Sequence, residues 1–263
     1  MPADRPARPQ RAVATLTVQS TEQLAPHLVR VVLGGEEIEL LRHNGHTDKY
    51  VKLHFTPVPE EPSVTRTYTV RHWDTTAGTI TLDFITHGDA GLAAPWALSA
   101  RPGDTLSMVG AGGAWSPSPE ADWYLLVGDD TAIPAISSAV EALPADARGE
   151  VVIEVDSPAD EVAPTPPPGV RLTWLHRRGV EAGAVSLLPA AVTALDWPAA
   201  GTPVDVFAHG EREAMKQLRD VFFTQRALPR SAVSLSGYWA YGRTEDRFQA
   251  EKQEPIGQIL PPE

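Results

Sequence analysis

The chain contains no cysteine, which excludes disulfides, thiolate-held zinc and cysteine-ligated iron–sulfur clusters. Any electron transfer therefore has to run through a bound organic cofactor. Long apolar runs are missing too: none approaches the ~20 residues that a membrane helix needs, so no membrane span is expected. The N-terminal MPADRPARPQR is basic and proline-rich, yet the AVATLTV that follows is too short for the apolar core of a signal peptide. The expectation is a soluble, cytoplasmic protein with a flexible tail over residues 1–11. Positive charge is scarce. With 22 Lys and Arg against 34 Asp and Glu, the net charge of −12 argues against a sequence-independent hold on nucleic acid. An anionic small molecule would need a local basic patch. No histidine pair stands at helical ligand spacing, and His43 and His46 fall in a loop, so no protein metal site is expected.

What is present divides into two grammars. At 263 residues the chain exceeds the roughly 100 to 150 of a typical domain, and two domains are expected. From residue 12 to about 115, short segments rich in Val, Thr, Leu and aromatics (LVRVVLGG, YVKLHF, TRTYTVRHW, GTITLDFITHG) alternate with Gly, Pro, Asp and Asn. That pattern predicts a small closed barrel or a sandwich. GAGGAWSPSPEAD then breaks it, which puts a boundary near Ser118 and gives domains of 12–118 and 119–263. Beyond the break, continuous apolar strands (WYLLVG, GEVVIEV, VDVFAHG) interleave with amphipathic stretches (IPAISSAVEAL, EREAMKQLRDVFF). This is the signature of a doubly wound parallel sheet. VAPTPPPG reads as an exposed polyproline-like loop, and the tail after GYWAYGRTED as helix-compatible.

Several places carry possible chemistry. In RTYTVR an extended strand puts Arg66 and Tyr68 on one face, Thr67, Thr69 and Arg71 on the other. An arginine fork grips phosphate, a tyrosine ring lies against a flat heterocycle, and threonine offers a hydroxyl to a ring nitrogen. Paired surface charges on a sheet would look the same. In LDFITHGDAGLAAPW, Asp83 and His87 precede a run of small residues that lets backbone amides approach a pyrophosphate. In WYLLVGDDTAIPAI, a buried strand ends at Gly128 and a helix with Pro134 in its first turn follows. Strand-to-helix turns of this kind bind dinucleotides, although an ordinary βα turn has the same spacing. Glu154 and Asp156 end the next strand, where an acid accepts hydrogen bonds from an adenosine ribose and repels a 2′-phosphate, which favours NADH over NADPH. A second such turn carries Gly210 and Glu211.

RTYTVR, LDFITHGDAG, ADWYLLVGDDTAIPAI and GYWAYGRTED, in this order, resemble the siderophore-interacting proteins, ferric-siderophore reductases of the ferredoxin-reductase-like superfamily. The resemblance implies a six-stranded antiparallel flavin-binding barrel followed by a nicotinamide-binding α/β domain, with FAD between them. It places Arg66, Thr67, Tyr68 and Thr69 on the flavin, with Tyr68 and Thr69 at the reacting ring. Asp83, Phe84, His87 and Gly88, with Gly91, Ala93, Ala94 and Trp96, would surround the ribityl, pyrophosphate and adenine parts. The family's hydroxyl residue before the tryptophan is replaced by the Ala93-Ala94-Pro95 run. Gly128, Asp129, Thr131, Ala132, Pro134 and Glu211 would approach NADH or NADPH. Lys49, Lys52, Arg243 and Lys252 are the implied basic residues for the iron chelate. The implied reaction passes a hydride from NAD(P)H to the flavin and single electrons to ferric iron in a siderophore; a monomer is expected. A reductase serving a protein acceptor and a non-catalytic siderophore carrier are the alternatives.

Overall fold

The structure is a computed structural model that describes residues 12–56, 63–86, 91–162 and 164–260. The expected tail over 1–11 lies outside the described residues, as do His87 and Gly88.

The first six strands are β1 (Ala14–Ala25), β2 (Leu28–Gly34), β3 (Tyr50–Phe55), β4 (Val64–Asp74), β5 (Thr79–Ile85) and β6 (Thr105–Gly112). They form a closed antiparallel barrel in the order β1-β2-β5-β4-β3-β6, with β6 pairing back onto β1 at Leu106 and Leu16. Closure removes the exposed edges a sandwich would keep. Period-two alternation fills the interior: Leu16, Val31, Leu53, Val70, Leu82 and Met108 are all buried, while Lys52 and Thr67 point outward. A short helix, α1 (Ala93–Ser99), sets Ala93 and Ala97 into this core, and Trp96 meets the rings of Phe55 and Phe84 edge-on or tilted.

The second layer is a five-stranded parallel sheet of β7 (Trp123–Asp129), β8 (Arg148–Val155), β9 (Gly169–His176), β10 (Val204–Glu211) and β11 (Val233–Trp239). Its order is β11-β10-β7-β8-β9. Alternate residues of β7 face opposite sides, which dictates the double winding. Tyr124 and Leu126 pack on α2 (Ile133–Ala142), whereas Leu125 and Val127 pack in the core of α3 (Leu188–Thr193) and α4 (Arg212–Arg219). Among the described residues no α-helix joins β8 to β9, only a 3-10 turn at Pro158–Asp160; the prolines that follow, in residues 164–168, run as irregular chain, since proline removes the amide hydrogen bonds a helix needs. The tail closes with α5 (Glu245–Glu251).

The connection between the two layers is pinned, not loose. Asp48 accepts from the backbone amides of Ala114 and Trp115 at 2.9 and 3.0 Å. Asp205 accepts from the Trp115 indole at 3.1 Å and the Ser118 amide at 2.7 Å. Arg71, whose purpose the sequence leaves open, spans the boundary: its guanidinium grips Glu141 of α2 in a fork at 2.7 and 2.5 Å. Ser138 of the same helix donates to the Arg71 carbonyl at 2.7 Å.

Candidate functional site: a cleft between barrel and sheet

In a parallel sheet, ligands collect at the carboxyl ends of strands where the winding reverses. Here that point lies at the ends of β7 and β10, and the barrel strand β4 faces it. Between them is a cleft of about 890 Å³. One wall is Arg66, Thr67, Tyr68 and Thr69 of β4. The other is Thr131 and Pro134 at the start of α2 together with the end of β11, Ser236 to Trp239. Lys52, Arg243 and Lys252 line the same space.

Each wall residue is held by its neighbours. The Tyr68 ring rests on Phe84 with centroids 4.5 Å apart, and burial raises its phenol well above the ordinary value, so it stays a neutral flat surface. The Arg66 guanidinium donates to Asp246 of α5 at 3.0 Å and to the Thr65 carbonyl at 2.9 Å. Asp83 lines the cleft but is tied by a bidentate pair to Arg30, 2.7 Å at both oxygens, which raises the Arg30 pKa. Burial lowers the Lys252 pKa; the Glu245 carboxylate raises it in part, and the nearby Lys52 ammonium, which repels it, lowers it again. Lys252 also sits 4.5 Å over the Phe248 ring. Arg243 donates to Glu251 at 2.8 Å, as does Arg247 at the same distance, and Arg212 donates to it at 2.5 Å. Arg212 first, then the other arginines, hold the Glu251 carboxyl down to about 2, and this knot fastens α5 to the sheet.

Several residues expected at a ligand are packed within the fold. Phe84 and Ala93 belong to the barrel core, Trp96 packs against it and Ala94 is buried, because small residues let α1 seat closely on the barrel. Gly91 takes a φ of 88° ahead of that helix, a conformation suited to glycine; none of these five lines the cleft. Gly128 and Ala132 are packed face to face, and a side chain at Gly128 would meet the His209 carbonyl oxygen at 2.6 Å. Lys49 backs onto Gly113 and lies outside the cleft lining.

The acids are engaged by the fold as well. Asp129 is buried and accepts from Thr131, from the Glu211 amide at 2.7 Å and from the Trp239 indole at 2.9 Å. Burial, then the neighbouring Asp130, pushes its carboxyl up to about 7. Glu211 caps α4, accepting from the amides of Glu213 and Ala214, and also from that of Tyr241. Glu154 is buried and accepts from the Leu187 amide at 2.7 Å, and Asp156 takes the Gly179 amide at 2.8 Å. Glu154 is thus committed inside the fold, whereas Asp156 is only partly buried and keeps its second oxygen. Orphan amides at the starts of α3 and α4 claim Glu154 and Glu211.

Sequence reasoning missed the aromatic end of β11. Tyr238 and Trp239 complete the sheet-side wall, and the signal was the GYWAYG run itself, too aromatic for an edge strand with nothing against it.

The barrel matches the family model described as Siderophore-interacting FAD-binding domain, over residues 17–64 and 55–115, and residues 121–242 match that of Siderophore-interacting protein. The chain belongs to the siderophore-interacting protein family. It is 40% identical over 274 residues to an uncharacterized protein of Mycobacterium tuberculosis, covering 93% of this chain and 96% of the relative. It is 31% identical over 194 residues to the ferric vibriobactin reductase of Vibrio cholerae, covering 74% and 71%. The crystal structure of a siderophore utilization protein from T. fusca superposes with a TM-score of 0.80 at 34% identity, covering 89% of this chain and 94% of that one. The fold is that of ferredoxin reductases. One from Neisseria gonorrhoeae, solved with bound FAD and NADP, gives a TM-score of 0.67 at 12% identity, covering 86% and 98%.

Proposed function

We propose that this family member is an NAD(P)H-dependent flavin reductase that reduces ferric siderophores and releases ferrous iron in the cytoplasm. The observation that carries the reading is the cleft, where a flat neutral tyrosine, a threonine hydroxyl and an arginine on β4 face the switch point of a nucleotide-binding sheet. The relation to a ferric vibriobactin reductase supports the choice of acceptor.

FAD suits this cleft, whose volume falls in the range of about 300–1,000 Å³ typical of ligand sites. Tyr68 would lie against the ring system, Thr69 would offer its hydroxyl to a ring nitrogen, and Arg66 would exchange Asp246 for a phosphate. When bound, the flavin supplies the conversion from hydride to single-electron chemistry. The protein's own part is position and charge. Thr131 and Pro134 give the nicotinamide a surface beside the β7 turn. Lys52, Lys252 and Arg243 at the same cleft attract an anionic chelate against the overall charge of −12. Siderophore oxygens are hard donors that favour the trivalent ion, so reduction loosens the iron.

The test mixes purified protein anaerobically with FAD, NADH or NADPH, and a ferric siderophore, with a chromogenic chelator to trap ferrous iron. Nicotinamide-dependent colour is the expected result. Binding of the chelate without colour, under either nucleotide, would make the protein a carrier and end the reductase reading.

A further inference from the structure

All five strands of the sheet run parallel, so their carboxyl ends lie along one edge, with β9 at one side and β11 at the other. The chain leaving β9, residues 177–187, touches both sides of that edge. Its ends are fastened near β7 and β8. The Arg177 side chain, 5% exposed, donates to Asp130 at 2.8 Å, and the Gly179 amide donates to Asp156 at 2.8 Å. At the other end Glu154 accepts from the Leu187 amide at 2.7 Å and from the Ser186 hydroxyl at 3.2 Å. Between these anchors the segment reaches the far strand. The Tyr241 hydroxyl, just beyond β11, donates to Glu181 at 2.9 Å. Gly183 packs so closely on Trp239 that a side chain there would meet the indole at 2.7 Å. Residues 177–187 therefore form a strap across the switch point between β7 and β10, where a dinucleotide belongs.

Anchors and tip are held by different means. The anchors are buried charge and backbone hydrogen bonds, whereas the tip contact between Glu181 and Tyr241 faces water, and Val180 and Val185 beside it are 48% and 57% exposed. Segments with few buried contacts and exposed hydrogen bonds are the ones that open locally. Gly179 with φ 82° and Gly183 with φ 81° bracket the tip, and glycine turns there without the cost other residues carry. Space calls for such an opening. The cleft measures about 890 Å³ with Glu181 and Ala182 in its wall, and sites of about 300–1,000 Å³ serve one ligand. With a flavin in place, a nicotinamide dinucleotide needs the strap lifted.

We infer that residues 177–187 are a gate on the nicotinamide nucleotide, latched shut by the hydrogen bond between Tyr241 and Glu181. Closed, the tip lies across the strand ends. Lifted about Gly179 and Gly183, with Arg177 and Leu187 still fastened, it admits the dinucleotide to the switch point. The inference rests on the NAD(P)H-dependent reading above. Only the open form binds, so the latched fraction lowers the apparent affinity, and whatever weakens the latch raises it.

Nucleotide affinity tests the gate without turnover. FAD-loaded protein is titrated calorimetrically with NAD+ and with NADP+, oxidised forms that leave the flavin unreduced. Tyr241→Phe removes the latch hydroxyl and keeps the ring, while Gly183→Ala sets a methyl against Trp239 and pries the tip away. Each is expected to lower the dissociation constant about 2- to 5-fold, the lower part of the net worth of one hydrogen bond, because the latch faces water. Combining them should add little, since both open the same contact. Amide hydrogen exchange in the wild type gives a second readout. Residues 180–184 are expected to exchange faster at saturating nucleotide, while the anchored amides of Gly179 and Leu187 do not. Unchanged or weaker binding in both variants, or tip exchange that stays the same or slows, would overturn the gate. If the wild type binds nucleotide and those results appear, the gate alone falls. If FAD-loaded wild type binds neither nucleotide, the NAD(P)H-dependent reading falls and takes the gate with it.

Discussion

Arg66 and Tyr68 form one wall of the cleft, but only Arg66 has to give up a partner before it can hold a ligand. Its pair with Asp246 is set on a largely solvated carboxylate, with side-chain exposures of 16% and 71%, and such pairs are worth little. A phosphate makes a stronger, forked partner. Arg66→Ala is therefore expected to weaken FAD binding by about 1.5–3 kcal/mol, the range for hydrogen bonds to charged groups, read as quenching of flavin fluorescence in a titration. An unchanged dissociation constant would assign the guanidinium to α5 alone. Asp129 gives a prediction of a different kind. Its carboxyl is raised to about 7 in the folded protein from an ordinary 3.8. The folded state thus holds a proton that the unfolded state has lost, and this contribution to stability is full below pH 3.8 and disappears as pH rises through 7. Asp129→Asn removes that slope. It also turns an amide toward donors at Glu211 or Trp239 and lowers stability throughout, which melting curves between pH 5 and 8 would show.

Among the elements, the pairing of β4 with α2 decides whether barrel and sheet move together. The Arg71–Glu141 fork and the Ser138 bond cross that boundary beside the cleft. Glu141 is about half exposed, so the pair is worth no more than about 1 kcal/mol. A double-mutant cycle with Arg71→Ala and Glu141→Ala should return a coupling of that size; zero coupling would leave the backbone contacts to hold the boundary. Much of this architecture was legible in the chain. The change from alternating segments to continuous apolar strands marked the barrel and the sheet, and Gly128 with Pro134 marked the first strand-to-helix turn. The roles of single residues were less legible. Nothing local in GDDTA tells that Asp129 faces Glu211 and Trp239, 82 and 110 residues away. Long-range pairs such as Arg30 with Asp83 likewise exist only once the barrel has closed. The small residues before Trp96 were ambiguous, because the same smallness that admits a ligand also seats a helix.

Across the whole molecule, a chain of charge −12 has gathered Lys52, Arg243 and Lys252 at one cleft. Lys52→Glu combined with Lys252→Glu is expected to raise the KM for an anionic ferric chelate while leaving FAD reduction by the nicotinamide unchanged. Added salt should weaken the wild type more than the variant, since screening acts on exposed charge. Equal KM values would mean that the chelate binds elsewhere. The central claim is that one bound flavin links nicotinamide to chelated iron, and a single-turnover experiment reads that link directly. FAD-loaded protein is mixed anaerobically with a limiting amount of NADH or NADPH, then with ferric siderophore, while flavin absorbance is followed. The account predicts bleaching with one of the nucleotides and full recovery of the oxidised spectrum on adding the chelate, in step with ferrous iron. A flavin that bleaches but stays reduced in the presence of the ferric siderophore would contradict it.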